Sequence, residues 1–308
     1  MRATNAGSEQ DMPSADRDLV LREKGLTLVE AGFFRGKENV SRVIVNDSGA
    51  RAVLKTGRIS ESQVCLFALA KRIEGVLPFL VPVVLDEGEG WVLLEEIAGE
   101  SLNMLADSDP ERYLSVCWEI SESYRRVVDA LVQEKGMPDA SAEGNKWMLS
   151  RLSLWSRPIV DAGFLSFEEV RGLSDRIAHL SDGPGRFGYV HGNVIGDHVI
   201  LPEGGGKPYL LDLEAVPRIA PAYYDLLRAF DFLLLSVGDS ERTYETVRQP
   251  LLGYLGDYAS DEVNAVLAFR LIGALGWDLL KHSAEYIPAK DRDAKIQLMV
   301  RLIRNGIE

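Results

Sequence analysis

Cysteine is scarce in this chain, with only Cys65 and Cys117 among 308 residues. Each falls inside a helical pattern and the two lack any metal-type spacing. That excludes a disulfide scaffold or a thiolate zinc site and fits buried thiols in a reducing compartment. A basic excess is lacking as well. The formal net charge of −13 argues against a duplex nucleic-acid footprint. It would suit a cationic small molecule electrostatically, although acidic soluble proteins are common. No long apolar run occurs either: residues 226–237, the most apolar late stretch, are interrupted by Arg228 and Asp231 and are too short to span a bilayer. Residues 1–17 are polar, without the apolar core of a secretory signal, so a cytoplasmic location away from membranes is expected. Internal repeats, a Gly-x-Ser-x-Gly elbow and a His-Glu-x-x-His helix are all missing. The run Gly204-Gly205-Gly206-Lys207 is followed by Pro208 and lacks phosphate-loop spacing, which leaves it a turn. Scattered Trp and Tyr residues give no stacking stripe for single strands.

The composition that remains is that of a globular protein, 46% hydrophobic and long enough for one large domain or two lobes. Residues 1–15 are polar and suggest a loose tail, taken to extend to about residue 25. From residue 26 the pattern turns to β. Segments 26–31, 39–45 and 51–56 are short β-formers separated by tight turns, an antiparallel meander. A helical stripe follows over 60–73, then two further strands at 80–85 and 91–96 around a turn at 86–90. Beyond Gly99 the chain becomes helical. Asp109-Pro110 opens one helix, residues 147–162 form another, and Ser166 with Glu169 makes a capping box for a third. Later helices are expected near 226–236, 242–255, 261–282 and 291–305. Strands first and helices afterwards argue for an α+β fold. The division expected is a tail (1–25), a β-rich lobe (26–98) and a helical lobe (99–308).

One late stretch gathers polar residues against this apolar background. Residues 199–201 and 209–213 flank a Gly-rich turn, which reads as a hairpin. His191, Asn193, Asp197 and His198 precede its first strand, and Asp212 and Glu214 end its second. Asp is unfavourable inside a strand, so Asp212 reads as a magnesium ligand between phosphates or as the cap of the next turn. Asp197 reads equally as a site carboxylate or as half of a Gly-Asp turn.

This pattern resembles the catalytic loop of the aminoglycoside phosphotransferase and choline kinase-like families, relatives of protein kinases. Their pattern is His-Gly-Asp, an Asn five residues after the Asp, and a second Asp ending the next hairpin strand. Here His191, Gly192 and Asp212 match, whereas Asn193 stands for the first Asp and His198 for the Asn. Ala52-Val53-Leu54-Lys55 is similar to the kinase strand whose Lys reaches the nucleotide phosphates, although a strand-end Lys is also a common solvated charge. By order of elements the resemblance runs from residue 26 to the end. It implies a two-lobed protein kinase-like fold, with a small antiparallel β N-lobe and a larger helical C-lobe. It further implies that Glu61 pairs with Lys55, that the loop with Gly32 and Gly36 covers phosphates, and that backbone near Glu95 and Ile97 meets the adenine edge. Asp212, with His198 beside it, would hold Mg²⁺, and Asp225 would hold the loop backbone. Asn193, Asp197 and His191 are the candidate catalytic residues, His191 by orienting that backbone. The implied function is ATP-dependent phosphorylation of a hydroxyl on a small molecule. The alternative is a catalytically impaired nucleotide-binding module whose helical lobe binds a partner. An amide at 193 cannot take a proton, and such a base is worth ~10²–10⁴ in rate. Phosphoryl transfer nevertheless relies mostly on positioning and charge neutralisation.

Overall fold

A computed structural model describes residues 16–31, 40–57, 61–135, 144–180, 187–213, 218–256, 260–276 and 291–307. Its first part is a five-stranded antiparallel sheet made of β1 (Leu26–Ala31), β2 (Val40–Val45), β3 (Ala50–Thr56), β4 (Val84–Gly88) and β5 (Trp91–Glu95), in the order β1-β2-β3-β5-β4. Side chains alternate across this sheet, as a strand's period of two requires. Ala52, Leu54, Trp91 and Leu93 join Val43 in a small cluster on one face, while Val92 and Leu94 face the main core. Lys55 lies opposite Val92 in the register, so the same alternation turns it away from the small cluster.

That small cluster is closed by helix α1 (Arg17–Glu23), which contributes Val20. Asp16 caps α1 by accepting from the Asp18 and Leu19 N–H groups. Where the sequence suggests a tail up to about residue 25, α1 packs on β1. The expected strand at 80–85 also shifts, to Val84–Gly88. Pro82 cannot donate to a ladder, and Leu80 makes a single parallel bridge to Tyr209.

Helix α2 (Glu61–Arg72) sits against the sheet and against α3 (Pro110–Lys135). The helical part continues with α4 (Gly144–Asp161), α5 (Phe167–Ala178), α6 (Tyr224–Ser236), α7 (Ser240–Leu255), α8 (Ser260–Gly273) and α9 (Arg292–Asn305). The capping box of Ser166 and Glu169 is present at the start of α5. Helix α6 runs through the centre. Eleven of its residues are buried, from Tyr224 to Leu235, and it packs against both α3 and α8. Such an all-round apolar helix belongs in a core, not on a surface. Trp147, Trp155, Tyr224 and Phe269 bring α4, α6 and α8 together through ring contacts of 5.1–6.4 Å. Cys117 is buried and unoxidised; the Cys65 side chain lies outside the described residues.

Two small sheets join the parts. β6 (Gly99–Ser101), β8 (Val199–Pro202) and β9 (Tyr209–Leu210) form one, and β7 (Phe187–Val190) pairs with β10 (Arg218–Pro221) in the other. The expected hairpin is therefore β8–β9, extended by a third strand from the segment that follows β5. Among the described residues no helix is long and apolar enough to cross a membrane.

Candidate active site

The loop between β7 and β8 is fixed from beneath by one buried carboxylate. Antiparallel pairing of β7 with β10 delivers residue 191 next to the start of α6, where Asp225 lies in the first turn. The His191 N–H donates to Asp225 Oδ2 at 2.9 Å and the Gly192 N–H to Oδ1 at 2.6 Å. Gly192 has φ +80°, a conformation that favours glycine. A carboxylate at a helix N-terminus is also stabilised by the helix dipole.

His191 connects this loop to the second half of the hairpin. Its Nδ1 accepts from the Asn193 N–H at 3.2 Å, so Nε2 carries the proton and donates to the Asp212 carbonyl. The ring is fully buried and lies edge-on to Tyr124, 4.9 Å between centroids. With both nitrogens committed to backbone, His191 braces the loop and offers nothing to a reacting atom.

Across the cleft, Lys55 Nζ of β3 meets Asp212 Oδ1 at 2.9 Å and the Leu211 carbonyl at 3.4 Å. Asp212 lies two residues past β9, but the pairing persists one step, since the Leu211 N–H donates to the His198 carbonyl at 2.8 Å. Burial pushes the Asp212 carboxyl up, yet the Lys55 ammonium beside it holds it well below the usual carboxylate range. The ionised carboxylate shares the cleft with Lys55 and His198; among the described residues no group of three or more His, Cys, Asp and Glu is placed to hold a metal ion. The cleft is lined above by Val40, Val53 and Lys55 and below by Ile200 and Leu211, with Glu95 and Ile97 at its back. At that back edge Arg51 grips Glu96 through two bonds of 2.9 and 3.1 Å, and Arg42 reaches it at 3.2 Å. Gly32 and Gly36 lie outside the described residues, and so does the Glu61 side chain, although Glu61 opens α2.

The remaining polar residues divide. Asn193 is tied into the C-lobe: Arg228 Nε donates to its Oδ1 at 3.2 Å. Arg228 Nη1 reaches Asp231 Oδ1 at 2.6 Å, and Arg270 contacts Oδ2 of the same carboxylate at 2.7 and 2.8 Å. Asp231 is fully buried and Arg270 nearly so. His198 Nδ1–H donates to the Asn193 carbonyl at 3.0 Å, and His198 is among the residues lining the cleft with Asp212. Asp197, by contrast, accepts from Asn103 Nδ2 and does not line that cleft. Its neighbour Gly196 is clamped by Ser101 Oγ and Tyr113 Oη, and a Cβ there would collide with Asn103 and Tyr113. The chain thus brings Lys55, His198 and Asp212 to one cleft and Asn193 to its C-lobe side, but turns Asp197 towards Asn103.

Arg228, Asp231, Asn103 and Tyr113 were not recognised from sequence. The first two did carry a signal: charges at i, i+3 within a run that is otherwise apolar on every face must be paired if that run is a buried helix.

No family model matches the chain, and no curated protein matches it by sequence. Solved structures do. The chain aligns with an ethanolamine kinase of Plasmodium vivax at TM-score 0.57 and 11% identity, covering 94% of this chain and 86% of that one. It aligns with an amicoumacin kinase in complex with AMP-PNP and Ca²⁺ at 0.56 and 12%, covering 94% and 93%. A macrolide 2'-phosphotransferase of Brachybacterium faecium gives 0.52 and 15%, covering 92% and 96%. A strand-built first lobe, a helical second lobe and a loop-hairpin between them give this chain the two-lobed protein kinase-like fold found in these small-molecule kinases.

Proposed function

We propose that the chain binds ATP with a divalent cation between its lobes and transfers the γ-phosphoryl group to a hydroxyl of a small molecule. The observation that carries this reading is the Lys55–Asp212 contact of 2.9 Å across the cleft. A Lys ammonium and an ionised carboxylate on opposite walls of one cavity would suit phosphate oxygens and a metal ion respectively. Asp212 and His198 would hold the cation, which when bound neutralises charge developing on the phosphates. Lys55 would exchange Asp212 for phosphate oxygens. Backbone around Glu95–Ile97 would take the base edge, and Asn193 would orient the acceptor hydroxyl. The structural relatives named above act on small molecules, and one was solved with a nucleotide analogue. The acidic balance of the chain would favour a cationic acceptor.

A second reading, a nucleotide-binding module without transfer, is favoured by two contacts. The amide at 193 is held by Arg228, and the carboxylate of Asp197 is directed to Asn103. Incubation with ATP, a divalent cation and a panel of amino-alcohols, sugars and aminoglycosides separates the two. Acceptor-dependent ADP release supports the enzyme. ATP binding with no release over any acceptor supports the module.

A further inference from the structure

Arg270 already pairs the buried Asp231, with contacts of 2.7 and 2.8 Å to Oδ2, and one guanidinium neutralises one carboxylate. Arg228 is a second cation brought to the same acid and largely out of water, at a desolvation cost. It is held on three sides. Nη1 donates to Asp231 Oδ1 at 2.6 Å, the guanidinium lies 5.6 Å from the Phe232 ring, and Nε donates to Asn193 Oδ1 at 3.2 Å. Arg270 in turn donates to the Tyr224 hydroxyl at 2.7 Å and lies over the Trp155 ring. A chain of charge-assisted bonds therefore runs from α8 through α6 to residue 193. Its last bond fixes which way the amide faces. Arginine has only donors, so the atom it meets is the amide oxygen, and the NH₂ group takes the other side. There Nδ2 lies 3.4 Å from His198 Nδ1, at the end of the hairpin that carries Asp212. His198 Nδ1 gives its hydrogen to the Asn193 carbonyl, so it is no acceptor for that group. An amide takes no proton whichever way it faces. With its oxygen engaged by Arg228, the side chain of residue 193 offers a ligand hydrogen-bond donors only.

We propose that Arg228 is a positioning residue that presents the Asn193 NH₂ group to a γ-phosphoryl oxygen of the bound nucleotide. Phosphoryl transfer spreads charge over those oxygens, and a donor held in place beforehand stabilises it without reorganising. The inference rests on the nucleotide-site reading above and adds to it a contact between residue 193 and the nucleotide.

The test is titration calorimetry of the full chain with AMP-PNP and with ADP, each with Mg²⁺, because the two nucleotides differ at the γ-phosphoryl group. Asn193→Ala should lower AMP-PNP affinity by about tenfold, the worth of a hydrogen bond to a charged group, and leave ADP affinity unchanged. Arg228→Gln should lower the AMP-PNP to ADP affinity ratio severalfold. The double variant should lose no more than Asn193→Ala alone, since Arg228 acts through the amide. A merely structural part in the C-lobe would move both nucleotides equally. Arg228→Lys, which keeps a cation beside Asp231, replaces Arg228→Gln should that variant not fold, and the ratio should fall in it too. An unaltered ratio in either single variant, equal losses for both nucleotides, or an additive double variant overturns the inference and leaves the nucleotide reading standing. Failure of the native chain to bind either nucleotide overturns both.

Discussion

Replacing Asp225 should destabilise the protein even with no ligand present. The side chain is 1% exposed and receives two backbone donors, His191 N–H at 2.9 Å and Gly192 N–H at 2.6 Å. Asp225→Ala leaves both without their acceptor, at ~1–3 kcal/mol for each buried unsatisfied group. The sum is ~2–6 kcal/mol, with the lower half expected where water enters the vacated space. At roughly 2–4 °C per kcal/mol for a domain of this order of size, that lower half lowers Tm by about 4–16 °C. Asp225→Asn sharpens the test because it keeps the volume. One amide oxygen can still accept, but the NH₂ group then faces a backbone N–H, so a substantial part of the loss should remain. Thermal unfolding followed by circular dichroism measures both variants. Melting temperatures within about 1 °C of the parent would refute the idea that this carboxylate braces the loop.

The contact of Arg228 with Asn193 bears on any attempt to restore a base. A carboxylate beside a guanidinium has its pKa lowered by ~1–3, so Asn193→Asp alone should raise ADP release far less than the ~10²–10⁴ a general base supplies. Asn193→Asp combined with Arg228→Gln should recover more of it; equal rates for the single and double variants would contradict this. Acid stability gives a separate test. Arg304 and then the Ser166 N–H hold the Glu169 carboxyl down to about 2, linking α5 to α9 through a 2.7 Å contact. Because the folded value lies below the unfolded one, the unfolded chain binds more protons between them and stability rises with pH there. The contribution of Glu169 should thus be complete above about pH 4.5 and lost as pH falls towards 2. Glu169→Gln should flatten the stability curve in that window, and an unchanged slope in denaturant titrations would count against the pairing.

Much of the fold could be read in the sequence, because its signals are local. Alternating β-formers, the Ser166 capping box and the glycine turn between β8 and β9 each report on their own few residues. Asp212 stood out for a similar reason, as a carboxylate ending an apolar run, whereas Lys55, at a strand end where a solvated charge is common, stood out only by resemblance. What escaped depends on distant partners. Nothing near Asp197 announces Asn103, 94 residues earlier, and nothing near Gly196 announces Tyr113, 83 residues earlier. The third strand beside β8 escaped too, since Gly99–Ser101 is only three residues long and no periodicity shows at that length. Helix α1 escaped through its brevity: in seven residues only Val20 is buried. Asp231 was visible as an interruption of apolar sequence, but its meaning, two guanidinium groups sharing one buried carboxylate, needed α6 and α8 side by side.

If Lys55 and Asp212 form the two walls of an ATP site, titration calorimetry of ATP shows it most directly. Native protein should bind ATP, and bind it more tightly with a divalent cation. Lys55→Met should weaken binding with or without the cation, because it removes a direct phosphate contact, whereas Asp212→Asn should abolish mainly the cation-dependent gain. Absence of ATP binding to the native chain, or equal cation-independent losses in both variants, would contradict the account.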